Sequence, residues 1–393
     1  MIGLGIRHSR RFTSAGEAEA WWRDMVGRTE STTDAALAGE PMAGPVAFVS
    51  FPFAIGGEHV VVVPEVVIGR RAGRSWVTTW DAGGSAWGRA ADADSDSAPI
   101  RVAVNTPVTA ADALTSPAGP PAGTGGNPIE FETGPMDHAR WLATVERARA
   151  RIRAGEAGKV VLARAETGRA AGVINKSRVL SRLAAAYPDT WTFCVANLIG
   201  ATPELLIRAD RGRITSRVLA GTIPGIGTEA ALVAALSSSS KDLEEHEYAV
   251  ASVAAALDGH ATALEVPTAP FVLRLPNVMH LATDITGTAR DGATVLELAG
   301  AIHPSAAVCG TPTEPARAMI EELEGLDRGR YAGPVGWINA SGDGEIALAL
   351  RCGLIEDDHA TIYAGCGIVA DSDPEAEWTE SIAKLLPMKH ALT

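Results

Sequence analysis

The stretch "GWINASGDGEIALALRCGLIEDDHATIYAGCGIV" (336–369) constrains the fold more than any other part of the chain. Its apolar and β-branched runs are separated by "ASGDG" and "EDDH", both rich in turn-forming residues, so it reads as consecutive antiparallel strands. Further strands are expected in "PVAFVSFPFA", "HVVVVPEVVIGRRAGRSWVTTW", "KVVLARAET", "TWTFCVANL" and "ELLIRAD". Helical periodicity lies elsewhere. It marks "PMDHARWLATVERARARIRAGEA", with Asp137 as N-cap, then "SRVLSRLAAAYP", a long helix from about Lys241 to Leu257, and "EAEWTESIAKLL" near the end. Helices and hairpins in separate blocks predict an α+β fold, not a doubly wound sheet. The Pro- and Gly-rich "TSPAGPPAGTGGNP" (115–128) reads as a linker.

Charge and composition narrow the function classes. Forty-seven acidic against 34 basic residues give a formal charge of −13, which disfavours nucleic acid and anionic membrane as partners. A small anionic substrate stays open, because a pocket can be locally basic. No apolar run approaches the roughly 20 residues a bilayer needs, and "MIGLGIRHSRRFTS" has no secretory h-region. The four cysteines (Cys194, Cys309, Cys352, Cys366) form no CxxC pair, so reduced thiols and a cytoplasmic location are expected.

Several constellations could carry chemistry. In the last helix Glu377, Glu380 and Lys384 fall within an arc of roughly 60°, opposite Trp378, Ile382 and Leu385. A solvated charged face is the simplest reading. In "KDLEEHEYAVASVAAAL", however, Asp242 and Glu245 repeat the same i,i+3 acidic spacing on the side that packs. Two such pairs could supply an all-oxygen Mg²⁺ site; the alternative is acid placed to complement a helix dipole. Lys159 and Glu204 stand at strand ends, where they are either solvated termini or an acid–base pair facing one pocket. Arg351 stands alone in the apolar strand "LALRCGL", which suggests an anionic ligand. His280 suits a core position or a pocket donor. "AGTIPGIG" lacks the Lys-Ser/Thr of a phosphate loop, and His303 with Cys309 reads as a turn histidine beside a buried cysteine.

In order, "KVVLAR", "ATPELLIR", "LAGTIPG", "KDLEEHEYAV", "PNVMHLATDITG", "HPSAAVCGTP", "YAGPVGW", "ALRCGLI" and "AGCGIVADSDPEAEWTESIAK" resemble the chorismate-utilising enzymes, and among them the isochorismate synthase branch. The resemblance implies two stacked, mainly antiparallel sheets with helices outside. It also implies a variable N-terminal half (1–125), a chorismate-binding catalytic region (126–393) and one domain in all. It implies Mg²⁺ on Glu245 and Glu380, supported by Asp242 and Glu377. Substrate contacts would come from Gly221, Thr222, His280, Arg351, Gly365, Gly367 and Lys384, and catalysis from Lys159 as base and Glu204 as acid. Members that add water carry lysine at the Lys159 position, and those that add ammonia tend to carry glutamine. The aminodeoxychorismate branch has lysine where Ala220 stands. Both features point to water, so no glutaminase subunit is expected. A monomer is expected as well. The implied reaction is chorismate to isochorismate, feeding siderophore or menaquinone synthesis. A salicylate synthase, which goes on to expel pyruvate, shares these residues; the short N-terminal half favours isochorismate. A non-catalytic chorismate-binding scaffold would have lost part of this set, and none is missing.

Overall fold

Two long sheets and one short one account for the strands in a computed structural model that describes residues 1–33, 35–37, 40, 42–71, 74–81, 100–105, 129–224, 228–276 and 278–393. The linker expected at 115–128 lies outside the described residues. The seven-stranded sheet runs Trp191–Val195, Leu198–Thr202, Cys352–Glu356, His359–Ile368, Lys159–Arg169 and Gly310–Thr311, with Glu130–Thr133 also paired to Lys159–Arg169. A ten-stranded sheet is built mainly from Leu205–Asp210, Arg213–Pro224, Val278–Ala289, Pro334–Asn339 and Gly344–Leu348. It continues into the N-terminal strands Val46–Ser50, His59–Val63 and His8–Phe12. Both sheets are antiparallel throughout their described pairings.

The α+β expectation holds, with an addition. The third sheet has five N-terminal strands and includes the parallel pair Thr29–Thr33 with Ile100–Asn105. The two long sheets share one apolar core, to which Val160 and Leu162 contribute from one and Ile207, Val218 and Ile346 from the other. Helix Ser240–Asp258 packs on strand Arg213–Pro224, and helix Pro374–Leu392 on strand His359–Ile368. Asp137 caps its helix as expected, accepting from the Arg140 amide at 2.9 Å.

The chain steps from one long sheet to the other at two places that matter for the site. Strand Leu198–Thr202 belongs to the seven-stranded sheet and Leu205–Asp210 to the ten-stranded one, so Pro203 and Glu204 form a crossing. Strand Gly344–Leu348 belongs to the ten-stranded sheet and Cys352–Glu356 to the seven-stranded one, so Arg351 lies in a second crossing. This corrects the expectation that Arg351 sits within a strand. Two short polypeptide crossings leave ladder hydrogen bonding together, and each is tied to the other: the Leu348 amide donates to Glu204 O at 3.1 Å and the Ala201 amide to Arg351 O at 3.2 Å. Arg351 also takes a left-handed φ of +49°, a conformation costing of order 1 kcal/mol for a residue with a side chain.

Candidate active site

A cavity opens beside these crossings, lined by Glu204, Thr222, Glu245, His280, Arg351, Gly365, Gly367 and Lys384 among others. Most residues expected at the site therefore converge, although they come from seven separate strands, crossings and helices. Gly221, Asp242, Glu377, Glu380 and Lys159 do not line the cavity; they stand next to residues that do.

Backbone irregularity places the Gly221 corner. The pairing of Arg213–Pro224 with Val278–Ala289 slips register between Ala220 and Thr222. Gly221 takes φ +74° there, and a Cβ would stand 2.9 Å from Asp242 O, so the bulge needs glycine on both counts. The bulge brings the strand against the first turn of the Ser240–Asp258 helix. His246, one turn on, fastens the two elements: Nδ1 donates to Ala220 O at 3.2 Å, and Nε2 accepts from Thr283 Oγ1 at 2.7 Å. Burial lowers this histidine to about 4, so the neutral ring assumed by that pairing is its state at neutral pH.

His280 resolves as a pocket donor relay. Arg351 Nη2 donates to its Nε2 at 3.0 Å, which leaves the ring proton on Nδ1, 2.9 Å from Thr222 Oγ1. Burial and then the Arg351 charge hold His280 well below its ordinary pKa, so it stays neutral. Thr222 is thereby left with a hydroxyl proton to offer into the cavity.

Lys159 and Glu204 share one electrostatic environment. Burial pushes Glu204 up to about 8, against the opposing pull of Lys159, Lys384 and Arg351. At neutral pH it therefore carries a proton. Lys159 is fully buried, and its Nζ lies 3.2 Å from Glu245 Oε1. Gly367 permits this arrangement, because a Cβ there would meet Glu245 Oε1 at 2.1 Å and Lys159 Cε at 2.8 Å.

The charged stripe of the last helix faces inward. Glu377 is 1% exposed, while Ile382, on the supposedly apolar side, is 41% exposed. The solvated reading is thus overturned. On the facing helix Asp242 is buried and Glu245 nearly so, whereas Glu244 and Glu247 are exposed. Lys384 lies 2.5 Å from Glu380 and donates to Gly365 O at 2.8 Å. Burial, the largest single influence, would lower Lys384, but the charge and hydrogen bond of Glu380 together with Cys366 raise it and keep the ammonium charged. Burial would likewise raise Glu245, but Lys159, Lys241 and Lys384 hold it below its ordinary value.

Lys241 was missed in the sequence, although it stands four residues before Glu245. Its Nζ is 2.6 Å from Glu377 Oε1 and feels Glu380 and Glu245 as well. Glu377 is raised to about 7, by burial first and then by the Glu380 charge, and its Oε2 is buried without a hydrogen-bond partner among the described residues. Crowded carboxylates with an orphaned oxygen make a hard donor set, which fits a divalent cation such as Mg²⁺. Tyr331 and Tyr363 were also missed; their stacked rings, 5.0 Å apart and 12° from parallel, form one wall of the cavity. Their blocks, "YAGPVGW" and "ATIYAG", gave no sign that the rings would meet.

His303 and Cys309 stay outside the chemistry. Burial raises the Cys309 thiol to about 11, and His303 sits against Phe53.

Of the charged side chains that line the cavity, Arg328, Arg351 and Lys384 are cationic against Glu245, with Glu204 neutral, so the wall is locally basic within a protein of net charge −13. No helix among the described residues is long and apolar enough to cross a membrane.

The chain is similar to known proteins in both sequence and fold. The salicylate-biosynthesis isochorismate synthase of Pseudomonas aeruginosa is 38% identical over 284 residues, 70% of this chain and 58% of that protein. A menaquinone-type isochorismate synthase (MenF) of Bacillus subtilis is 37% identical over 264 residues, 65% of this chain and 56% of that protein. The chain thus aligns with little more than half the length of these relatives. In three dimensions it superposes on a Bacillus anthracis protein assigned as a 2,3-dihydroxybenzoate-specific isochorismate synthase with a TM-score of 0.75 at 28% identity, covering 99% of this chain and 92% of that one. Anthranilate synthase component I from Streptococcus pneumoniae, at 22% identity and a TM-score of 0.71 over 94% of this chain and 85% of that one, shares the fold. The chorismate binding enzyme family matches residues 1–393 from end to end, and this chain belongs to it.

Proposed function

We propose that the chain is an isochorismate synthase, an isomerase that moves the hydroxyl function of chorismate from C4 to C2. The observation that carries this reading is Glu204, a carboxyl raised to about 8 on the cavity wall within electrostatic reach of Lys159. Such a group can donate a proton at neutral pH, and hydroxide needs one to leave. Lys159 takes a proton from water as its oxygen bonds to C2. The ring double bonds shift, and the C4–O bond breaks as Glu204 protonates the departing oxygen. One water is consumed and one is released. To act as the base, Lys159 must be in its neutral form and turn its amine from Glu245, 3.2 Å away, toward the attacking water.

Arg351 and Lys384 are the cations for the substrate's two carboxylates, and the Thr222 hydroxyl, oriented by His280, is a donor to it. Glu245 and Glu380 would hold Mg²⁺, supported by Asp242 and Glu377, and the ion would neutralise the ring carboxylate. Lysine at 159 and alanine at 220 favour water over ammonia, so no glutaminase subunit is needed.

The test is to incubate the protein with chorismate and Mg²⁺ and resolve the products. Isochorismate without pyruvate is expected. Stoichiometric pyruvate and salicylate would replace this reading with that of a salicylate synthase, and unchanged chorismate would leave a binding protein.

A further inference from the structure

We infer that Cys366, Glu377 and Glu380 form a site for a thiophilic divalent cation of the Zn²⁺ class, which there excludes Mg²⁺ and stops turnover. The thiol Sγ and one carboxylate oxygen from each glutamate lie within 4.8 Å of one another, and Cys366 and Glu377 are buried. Two side chains on the last helix and one on the adjoining strand thus converge from rigid elements. The lysines use only part of this set: Lys241 and Lys384 pair with the Oε1 atoms of Glu377 and Glu380. Glu377 is 1% exposed, and its Oε2 is buried with no hydrogen-bond partner among the described residues, so this member of the cluster keeps an unused donor oxygen. Among the described residues the Cys366 thiol makes one hydrogen bond, a weak one, donating to Glu377 O at 3.3 Å.

The ligand class follows from the donors. Mg²⁺ takes oxygen ligands and gains nothing from sulfur, whereas thiolate selects Zn²⁺ and its neighbours. Two carboxylates and one thiolate give three protein ligands with a position left open, the count typical of accessible zinc sites. Zinc bonds of about 2.0 to 2.3 Å require the three donors to close in by roughly 1 Å, within the reach of side-chain rotation. On binding, the thiol proton passes to solvent and the sulfur bonds the metal. The binding claim stands on this cluster alone; the inhibition claim rests on the proposed Mg²⁺ assignment of Glu380.

Co²⁺ serves as a spectroscopic stand-in for Zn²⁺. Titrating the full chain should produce a thiolate-to-Co²⁺ charge-transfer band that saturates at about one equivalent and is bleached by Zn²⁺. The band should vanish in Cys366→Ala and in Cys366→Ser, the second keeping the side-chain volume, and persist in Cys194→Ala, which removes the exposed thiol. Calorimetry should show Zn²⁺ affinity falling by at least roughly 10- to 100-fold in both Cys366 variants, with circular dichroism reporting their fold. Absence of the band in the wild type, or its survival in folded Cys366→Ser, overturns the site. If the band behaves as expected but Zn²⁺ leaves turnover unaffected, the site stands and the shared Mg²⁺ position is what fails.

Discussion

Lys241 Nζ lies 2.6 Å from Glu377 Oε1, joining the first turn of the Ser240–Asp258 helix to the first turn of the Pro374–Leu392 helix. The two helices each bring acid to the same space, and this ion pair supplies counter-charge there. Removing the lysine leaves Glu377 beside Glu380 and Glu245 with its main counter-charge gone. Lys241→Met should therefore cost about 3 kcal/mol of unfolding free energy at pH 8. Glu377 already titrates in the folded protein near 7, above its ordinary value, and the substitution raises it further. A carboxyl with a raised folded pKa binds more protons folded than unfolded, so stability falls as pH rises through that window. The deficit of the variant should accordingly shrink at pH 5, which urea denaturation at the two pH values measures. An equal deficit at both would remove Glu377 ionisation as its cause.

The metal assignment is checked by Glu245→Gln and Glu380→Gln. Each should abolish turnover while far-ultraviolet circular dichroism stays unchanged, because each keeps its shape and loses only its charge. Glu377→Gln should lose a more modest 10- to 100-fold, roughly what partners of direct ligands cost. Near-normal activity of the wild type in EDTA would eliminate the ion from the reaction.

Lys159→Gln and Glu204→Gln separate the two proton transfers. Both should still bind chorismate, and each should lose about 10² to 10⁴ in rate, or roughly 3 to 5 kcal/mol of barrier. With Glu204 near 8, and required in its protonated form, kcat/KM of the wild type should decline above about pH 8. Wild-type rates from Lys159→Gln would refute the base.

The bulge at Gly221 can be tested for its backbone alone. Gly221→Ala combines φ +74° with a 2.9 Å approach to Asp242 O, and should destabilise by about 1 to 3 kcal/mol. Gly300 is helical with open space around its missing Cβ, so Gly300→Ala should instead stabilise by roughly 0.5 to 1 kcal/mol. Thermal melts of the two variants should move in opposite directions; matching shifts would show that the Gly221 geometry is not strained.

The sequence by itself determined the local structure and marked out the residues proposed to carry the chemistry. The Asp137 cap, the long acidic helix and the hairpins around "ASGDG" and "EDDH" follow from interactions between residues a few positions apart, and these are legible in a string. Lys159, Glu204, Glu245 and Glu380 were singled out through the resemblance of their blocks to a known family, and the structure sets Lys159 against Glu245. Tertiary structure decided which face of the last helix is buried. A helical wheel separates Glu377 from Ile382 but cannot say which side meets another element, and burial of the charged side became favourable only because Lys241 and Lys384 supply counter-charges there. It also decided that Arg351 lies at a crossing between sheets, because a chain that changes sheet reads locally as one continuous apolar strand. The stacking of Tyr331 on Tyr363 and the approach of Cys366 to two glutamates are contacts between distant segments or across elements, fixed by packing and not by any local preference.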